Sequence, residues 1–188
     1  MDLELPLPWP QDPPRAQDVV LRRFAPRDVP MLRDLATDPY VAATTTLPRD
    51  ATQLDALRFV QRQLTRPATG RGWSFCVARA ADDEAVGQIG LWTAGLGQGR
   101  CTAGYAIAPS ARRQGYAGKA LRALTAFAWT IAPVHRVELY VEPDNAASLR
   151  TATAAGFARE GLLRSHQEID GRRADMVLLA AIRPDRSR

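Results

Sequence analysis

The sequence predicts one α/β domain with a mixed, mostly antiparallel sheet and about four flanking helices. Three observations carry this. The chain has 188 residues, 46% of them hydrophobic, which suits a single core rather than two. Three strand-like runs follow one another across short turns between residues 73 and 108. A helix, a strand, a second helix and a hairpin then follow in order, a pattern that forces one crossover connection.

Taken in order, Asp18–Phe24 alternates like a first strand. Pro26 and Asp28 open a helix that places Val29, Leu32 and Leu35 on one face. Residues 37–49 read as a loop. Asp50 is expected to cap a second helix carrying Leu54, Leu57, Val60 and Leu64, stopped by Pro67 and Gly70. The meander is Trp73–Arg79, Ala85–Trp92 and Arg100–Ala108, turned by Asp82-Asp83 and by Gly95–Gly99. That glycine-rich turn precedes a strand rather than a helix, so it is a hairpin turn and not a dinucleotide fingerprint. A helix spans Gly115–Ile131 with Leu121, Leu124 and Ala128 on one side. Val134–Val141 enters by a right-handed crossover, parallel to the third meander strand. Asp144 or Asn145 caps a short helix ending at Gly156. A hairpin, Phe157–Glu168 and Ala174–Ile182, closes the domain at Asp170-Gly171. The domain is expected over residues 18–183. Residues 1–17, proline-rich, are expected to form a flexible arm, and residues 184–188 a basic tail.

Formal charge is +5, and Lys119 is the only lysine among 25 basic residues. The arginines are scattered, and no helix carries them along one face, which argues against nucleic acid. A basic groove for an anionic ligand accounts for part of the charge. No apolar run reaches the ~20 residues of a membrane span. The N-terminus lacks a basic segment followed by an apolar one, so no secretory signal is read. Cys76 and Cys101 fit neither a metal spacing nor a disulfide framework. With one strand between theirs they would stand about 9–10 Å apart, too far to bridge. Reduced thiols in a cytoplasm are expected, and no metal site.

The chemistry lies in Tyr105-Ala-Ile-Ala-Pro-Ser-Ala-Arg-Arg-Gln-Gly-Tyr-Ala-Gly-Lys-Ala-Leu121: a strand, a basic glycine-bearing turn, then a helix. Such a turn aims several backbone N–H groups one way at the positive end of a helix dipole, a receptor for phosphate oxygens. Asn145-Ala-Ala-Ser148 stands at the mouth of the next helix.

This order of elements, with Arg112-Arg-Gln-Gly115-Tyr-Ala117 in the turn, resembles the GNAT superfamily of acetyl-CoA-dependent N-acetyltransferases. Asn145-Ala-Ala-Ser148, Ala155-Gly-Phe157, Glu160-Gly161 and the late Asp-Gly followed by Asp175 are similar to its RimJ/RimL-like branch, the ribosomal-protein N-terminal acetyltransferases. The resemblance implies a sheet in which the strand ending at Ala108 splays from the strand starting at Val134. Pantetheine would lie in the gap, bonded by backbone groups of Ala106, Ile107 and Ala108. The amides of Gln114, Gly115, Tyr116, Ala117 and Gly118 would hold the pyrophosphate, with Arg112, Arg113 and Lys119 adding charge. Asn145 would position the pantetheine arm. Ser148 would protonate the leaving thiolate, and the Ile107 N–H would face the oxyanion.

The base is open among Glu138, Tyr140, His166 and Glu168. Glu138 also reads as a cross-strand partner of an arginine. The glutamate that relatives carry before the third meander strand's Gly-Tyr is replaced here by Cys101, Thr102 and Ala103. A missing base suits an acceptor of low pKa. At pH 7 about one in six α-amines (pKa near ~7.7) is neutral, against about one in 2,500 lysines. Three readings follow: acetylation of an α-amine such as a protein N-terminus, acetylation of a small amine, or a non-catalytic acyl-CoA-binding module. The acceptor site is expected between residues 40–48 and 165–173. No acidic cluster there favours a polycation. The resemblance leaves room for a homodimer.

Overall fold

The computed structural model describes residues 5–185; the last three residues of the expected basic tail, 186–188, lie outside them. The strands are β1 (Arg15–Ala16), β2 (Val19–Arg22), β3 (Gly72–Arg79), β4 (Ala85–Trp92), β5 (Arg100–Ile107), β6 (Arg136–Val141), β7 (Ala158–Ile169) and β8 (Arg172–Ile182). The helices are α1 (Val29–Leu35), α2 (Pro39–Thr44), α3 (Gln53–Thr65), α4 (Tyr116–Ala128) and α5 (Ala146–Ala154). One eight-stranded sheet runs in the order β1-β2-β3-β4-β5-β6-β8-β7. Only β5 and β6 pair in parallel; every other neighbouring pair is antiparallel. No helix among the described residues is long and apolar enough to cross a membrane.

Helices cover both faces. On one, Leu121, Leu124 and Phe127 of α4 pack with Leu21, Phe75, Ile89 and Leu139. On the other, Leu32, Leu35, Phe59 and Val60 of α1 and α3 pack with Cys76 and Ala108. This explains why β3 reads as a nearly continuous apolar run: Trp73, Phe75 and Val77 meet the α4 layer, and the residues between them meet the α3 layer. Cys76 and Cys101 therefore face opposite layers.

Three local expectations are corrected. The segment read as a loop contains α2, a fifth helix, with Pro39 at its first turn and Asp38 accepting from the Tyr40 amide at 2.9 Å. Asp50 does not cap α3. Thr52 does, in a reciprocal box with Asp55, while Asp50 takes a left-handed turn (φ +50°). The proline-rich segment is not loose from Leu7 onward. Leu7 is 3% exposed and its N–H donates to Pro67 O at 2.9 Å. Trp73 Nε1 donates to Pro8 O at 3.0 Å, and Trp9 meets Phe75 edge-on. Apolar burial of two side chains fixes what a run of prolines had suggested would wander.

Candidate active site

The sheet opens between β5 and β6. Parallel pairing covers only Arg100–Thr102 against Arg136–Glu138 and then stops. The rest of β5 remains bonded to β4, with Gly87 opposite Ile107 and Gln88 opposite Ala106. The Ala108 N–H donates to Val86 O at 3.0 Å. Alternation in an antiparallel ladder then turns Ala106 and Ala108 toward β4, and Tyr105 and Ile107 toward the gap. So the expected trio Ala106 to Ala108 contributes one free amide, that of Ile107. The Ile107 carbonyl is taken by Arg112 Nε at 3.0 Å.

After β5 the chain turns through Arg113 (φ +65°) and Gly115 (φ +76°) into α4. No side chain caps α4, so its leading amides point outward unsatisfied. Glycine at 115 takes the left-handed conformation without strain. A Cβ there would meet nothing closer than the Lys119 side chain at 3.8 Å, which leaves the approach to these amides open. Gln114 and Gly115 thus lead into the first turn of α4, which holds Tyr116, Ala117 and Gly118.

Two of the three cations expected at this turn are already paired. Arg112 bonds Asp38, and Lys119 Nζ reaches Asp18 at 2.7 Å. Burial raises the Asp38 pKa, but the Arg112 hydrogen bond and the Tyr40 amide more than reverse this, so it lies below the usual carboxylate range. The Lys119 hydrogen bond likewise lowers Asp18. These pairs brace the turn against α2 and β2. Arg113 is exposed and lies outside both.

Across the gap, Asn145 caps α5: its Oδ1 accepts from the Ser148 N–H at 3.0 Å. That bond uses the side-chain oxygen of Asn145, and the Asn145 side chain also bonds the Tyr40 phenol. Ser148 is half-buried, and the Tyr105 hydroxyl lies 3.4 Å from its carbonyl oxygen. Burial holds the Tyr105 phenol protonated, above its usual range. Tyr105 is a site residue that sequence reasoning missed.

A cleft of about 580 Å³ opens beside the gap, at Tyr105, Asn145 and Ser148. Its wall includes Tyr105, Ala106, Tyr140, Asn145, Ser148 and Glu168. Trp92 lies across its floor. A Cβ on Gly90 would come within 2.9 Å of the indole, and one on Gly104 within 2.8 Å, so the indole rests on a floor without side chains.

The four base candidates separate by their contacts. Glu138 is buried, with Arg136 Nε donating to Oε1 at 2.6 Å and the Tyr140 hydroxyl to Oε2 at 2.9 Å. Arg136 also binds Glu160. Both oxygens are engaged along its own strand, and the cross-strand arginine, Arg100 on β5, stands only at 3.9 Å, so Glu138 is an ion-pair residue chiefly within β6 and the base role expected for it is withdrawn. Burial first, and then Glu138, raises the Tyr140 pKa, so the phenol keeps its proton at neutral pH. His166 stacks on the Tyr140 ring at 4.8 Å. Glu168 is exposed on β7 and borders the cleft.

An opened parallel pair beside an uncapped helix is a place for an extended thiol ester with a diphosphate head. The profile of the acetyltransferase (GNAT) domain matches residues 18–158 of the chain. The chain belongs to the GNAT acetyltransferase family. The GNAT chain is 24% identical over 165 residues to the uncharacterized N-acetyltransferase p20 of Bacillus licheniformis, covering 88% of this chain and 93% of that one. It superposes on Mycobacterium smegmatis RimJ, solved with CoA-disulfide, with a TM-score of 0.74 and 27% identity over 90% of this chain and 85% of that one. It superposes on the microcin C7 self-immunity acetyltransferase MccE, solved with acetyl-CoA and AMP, with a TM-score of 0.76 over 88% and 93% of the two chains. That second likeness, at 15% identity, is one of fold alone. As a GNAT N-acetyltransferase the protein uses acetyl-CoA as cosubstrate and acts on amine acceptors.

Proposed function

We propose that this GNAT enzyme acetylates an α-amine by direct attack on the thioester. The observation that carries the reading is the combination of an open β5–β6 gap with a cleft wall on which Glu168 is the only carboxylate. An exposed carboxylate working through water suffices for an amine that is already partly neutral at pH 7, and does not suffice for a lysine.

The roles follow from position. The amides of residues 115–118 and the Arg113 side chain hold the diphosphate of CoA. The Ile107 N–H, free of the sheet, faces the thioester oxygen, and the Asn145 amide holds the pantetheine arm. The amine nitrogen forms a bond to the thioester carbon as the carbon–sulfur bond breaks. The Ser148 hydroxyl gives its proton to the departing sulfur and takes one back from water, while the proton lost by nitrogen passes by water to Glu168 and on to solvent, so that both side chains return to their starting state.

Calorimetry with CoA and a thiol-release assay on peptides with free N-termini test this together. Arg113→Ala is expected to weaken CoA about fivefold, the worth of one exposed charge-assisted contact. Lys119→Ala, already paired to Asp18, should change it less than twofold. Equal losses from both substitutions would contradict the assignment, and no CoA binding by the unaltered protein would end it.

The pH profile is a further check. For an α-amine acceptor, kcat/KM should climb about tenfold per pH unit below the amine's pKa of ~7.7 and flatten above it. A climb continuing toward pH ~10 would mark a lysine side chain as the acceptor instead.

A further inference from the structure

One buried polar atom in the described residues has no partner, the Nε2 of Gln63. Gln63 sits in the last turn of α3 and is 1% exposed. Its Oε1 accepts from Arg66 Nε at 2.7 Å. A guanidinium only donates, so the amide oxygen must face it and the NH2 must face elsewhere. Leaving such a group dry and unpaired is costly. Both residues border the active-site cleft, on the same face as buried Ser74.

Arg66 is itself short of an acceptor. Its guanidinium lies 6.0 Å over the Trp92 ring. Burial, and then the neighbouring charges of Arg71 and Arg62, pull its pKa below the ordinary arginine value; no carboxylate counters them. The cleft wall carries two charged side chains, Arg66 and Glu168. One region of the wall therefore gathers a guanidinium, an unpaired amide NH2 and the Ser74 hydroxyl, all able to donate. This part of the wall is suited to an anion.

We propose that Gln63 and Arg66 bind a carboxylate on the acceptor, so that the substrate is an amine bearing an anionic group. This rests on the α-amine reading and specifies its substrate. The carboxylate has two possible sources, the α-carboxylate of a small amino acid or an acidic side chain near the start of a peptide.

Two matched pairs of probes separate them: alanine against alaninamide, and the amidated tripeptides Ala-Glu-Ala against Ala-Gln-Ala. Each is titrated into the CoA complex by calorimetry and then assayed for thiol release with acetyl-CoA. In one pair the carboxylate-bearing member should bind about tenfold to a hundredfold more tightly, the worth of a charge-assisted hydrogen bond. Preference in the first pair assigns the small-molecule source, and preference in the second assigns the peptide. Arg66→Gln and Gln63→Leu should each erase most of that preference while leaving CoA affinity within twofold. No preference in either pair, or a preference that survives both substitutions, overturns the anion site. A preference in binding with no thiol release from any probe supports the anion site and overturns the α-amine reading.

Discussion

Replacing Ser148 by alanine is expected to slow CoA release about a hundredfold or more, with CoA affinity held within threefold. General acid catalysis by a placed side chain contributes on the order of 10²–10⁴. The cap bond from Asn145 ends on the Ser148 N–H, and the Tyr105 hydroxyl faces the Ser148 carbonyl. The cap bond belongs to the backbone and survives in Ser148→Ala, so α5 keeps its start, while the bond between the Ser148 hydroxyl and the Tyr105 phenol is lost. Stopped-flow or steady-state thiol release, read beside CoA calorimetry, separates chemistry from binding. A variant within fivefold of the parent rate would remove Ser148 from the reaction. Attention would then turn to Tyr105, the protonated hydroxyl beside it.

The largest expected loss of stability lies away from the cleft. Asp28 is 1% exposed, and both its oxygens are used. Arg22 donates to it twice, at 2.7 and 2.8 Å, and the Ala25 N–H once, at 2.8 Å. The Arg22 side chain is itself only 12% exposed. Asp28→Ala would strand that guanidinium and one backbone donor together. Breaking a buried pair from one side costs about 3–5 kcal/mol. Asp83 still touches Arg22 from the exposed side, which places the expectation near ~3 kcal/mol. For a domain of this size that is a fall in Tm of roughly 6–12 °C. Asp28→Asn, which keeps an acceptor for Ala25, should lose less. Thermal unfolding that moves by less than ~2 °C in Asp28→Ala would show the pair to be dispensable.

How far the sequence could be read depends on the range of the interaction. Order, direction and type of the strands follow from local alternation and turn residues, and β3 to β8 stand where the pattern puts them. Asn145 and Gly115 are legible because a cap and a left-handed turn are properties of a few adjacent residues. By the same standard α2 was readable. Asp38-Pro39 is a start signal, but the alanines and threonines after it gave no apolar stripe. Thr52 with Asp55 was readable too, and Asp50 drew the assignment away.

Long-range pairing is where local reading stops. Arg112 meets Asp38 across 74 positions and Lys119 meets Asp18 across 101, so both looked free in the turn they belong to. Glu138 is settled by Arg136 two residues away and by a phenol on its own strand. There alternation gave the face, and only packing gave the outcome. Gln63 and Arg66 read as ordinary polar residues late in a helix. Nothing in α3 itself says that its inner side closes a cleft floored by Trp92.

The two thiols of the chain lie on opposite sides of the sheet, and burial moves both away from ionisation, Cys101 up to about 12 and Cys76 further still. At working pH neither exists appreciably as the thiolate that attacks disulfides or aryl reagents. Each turnover liberates a mobile sulfhydryl, yet this polypeptide offers it no native sulfur to couple with. A chromogenic thiol reagent added to folded enzyme thus registers liberated coenzyme against a silent background. A rising protein-only signal reports unfolding rather than catalysis.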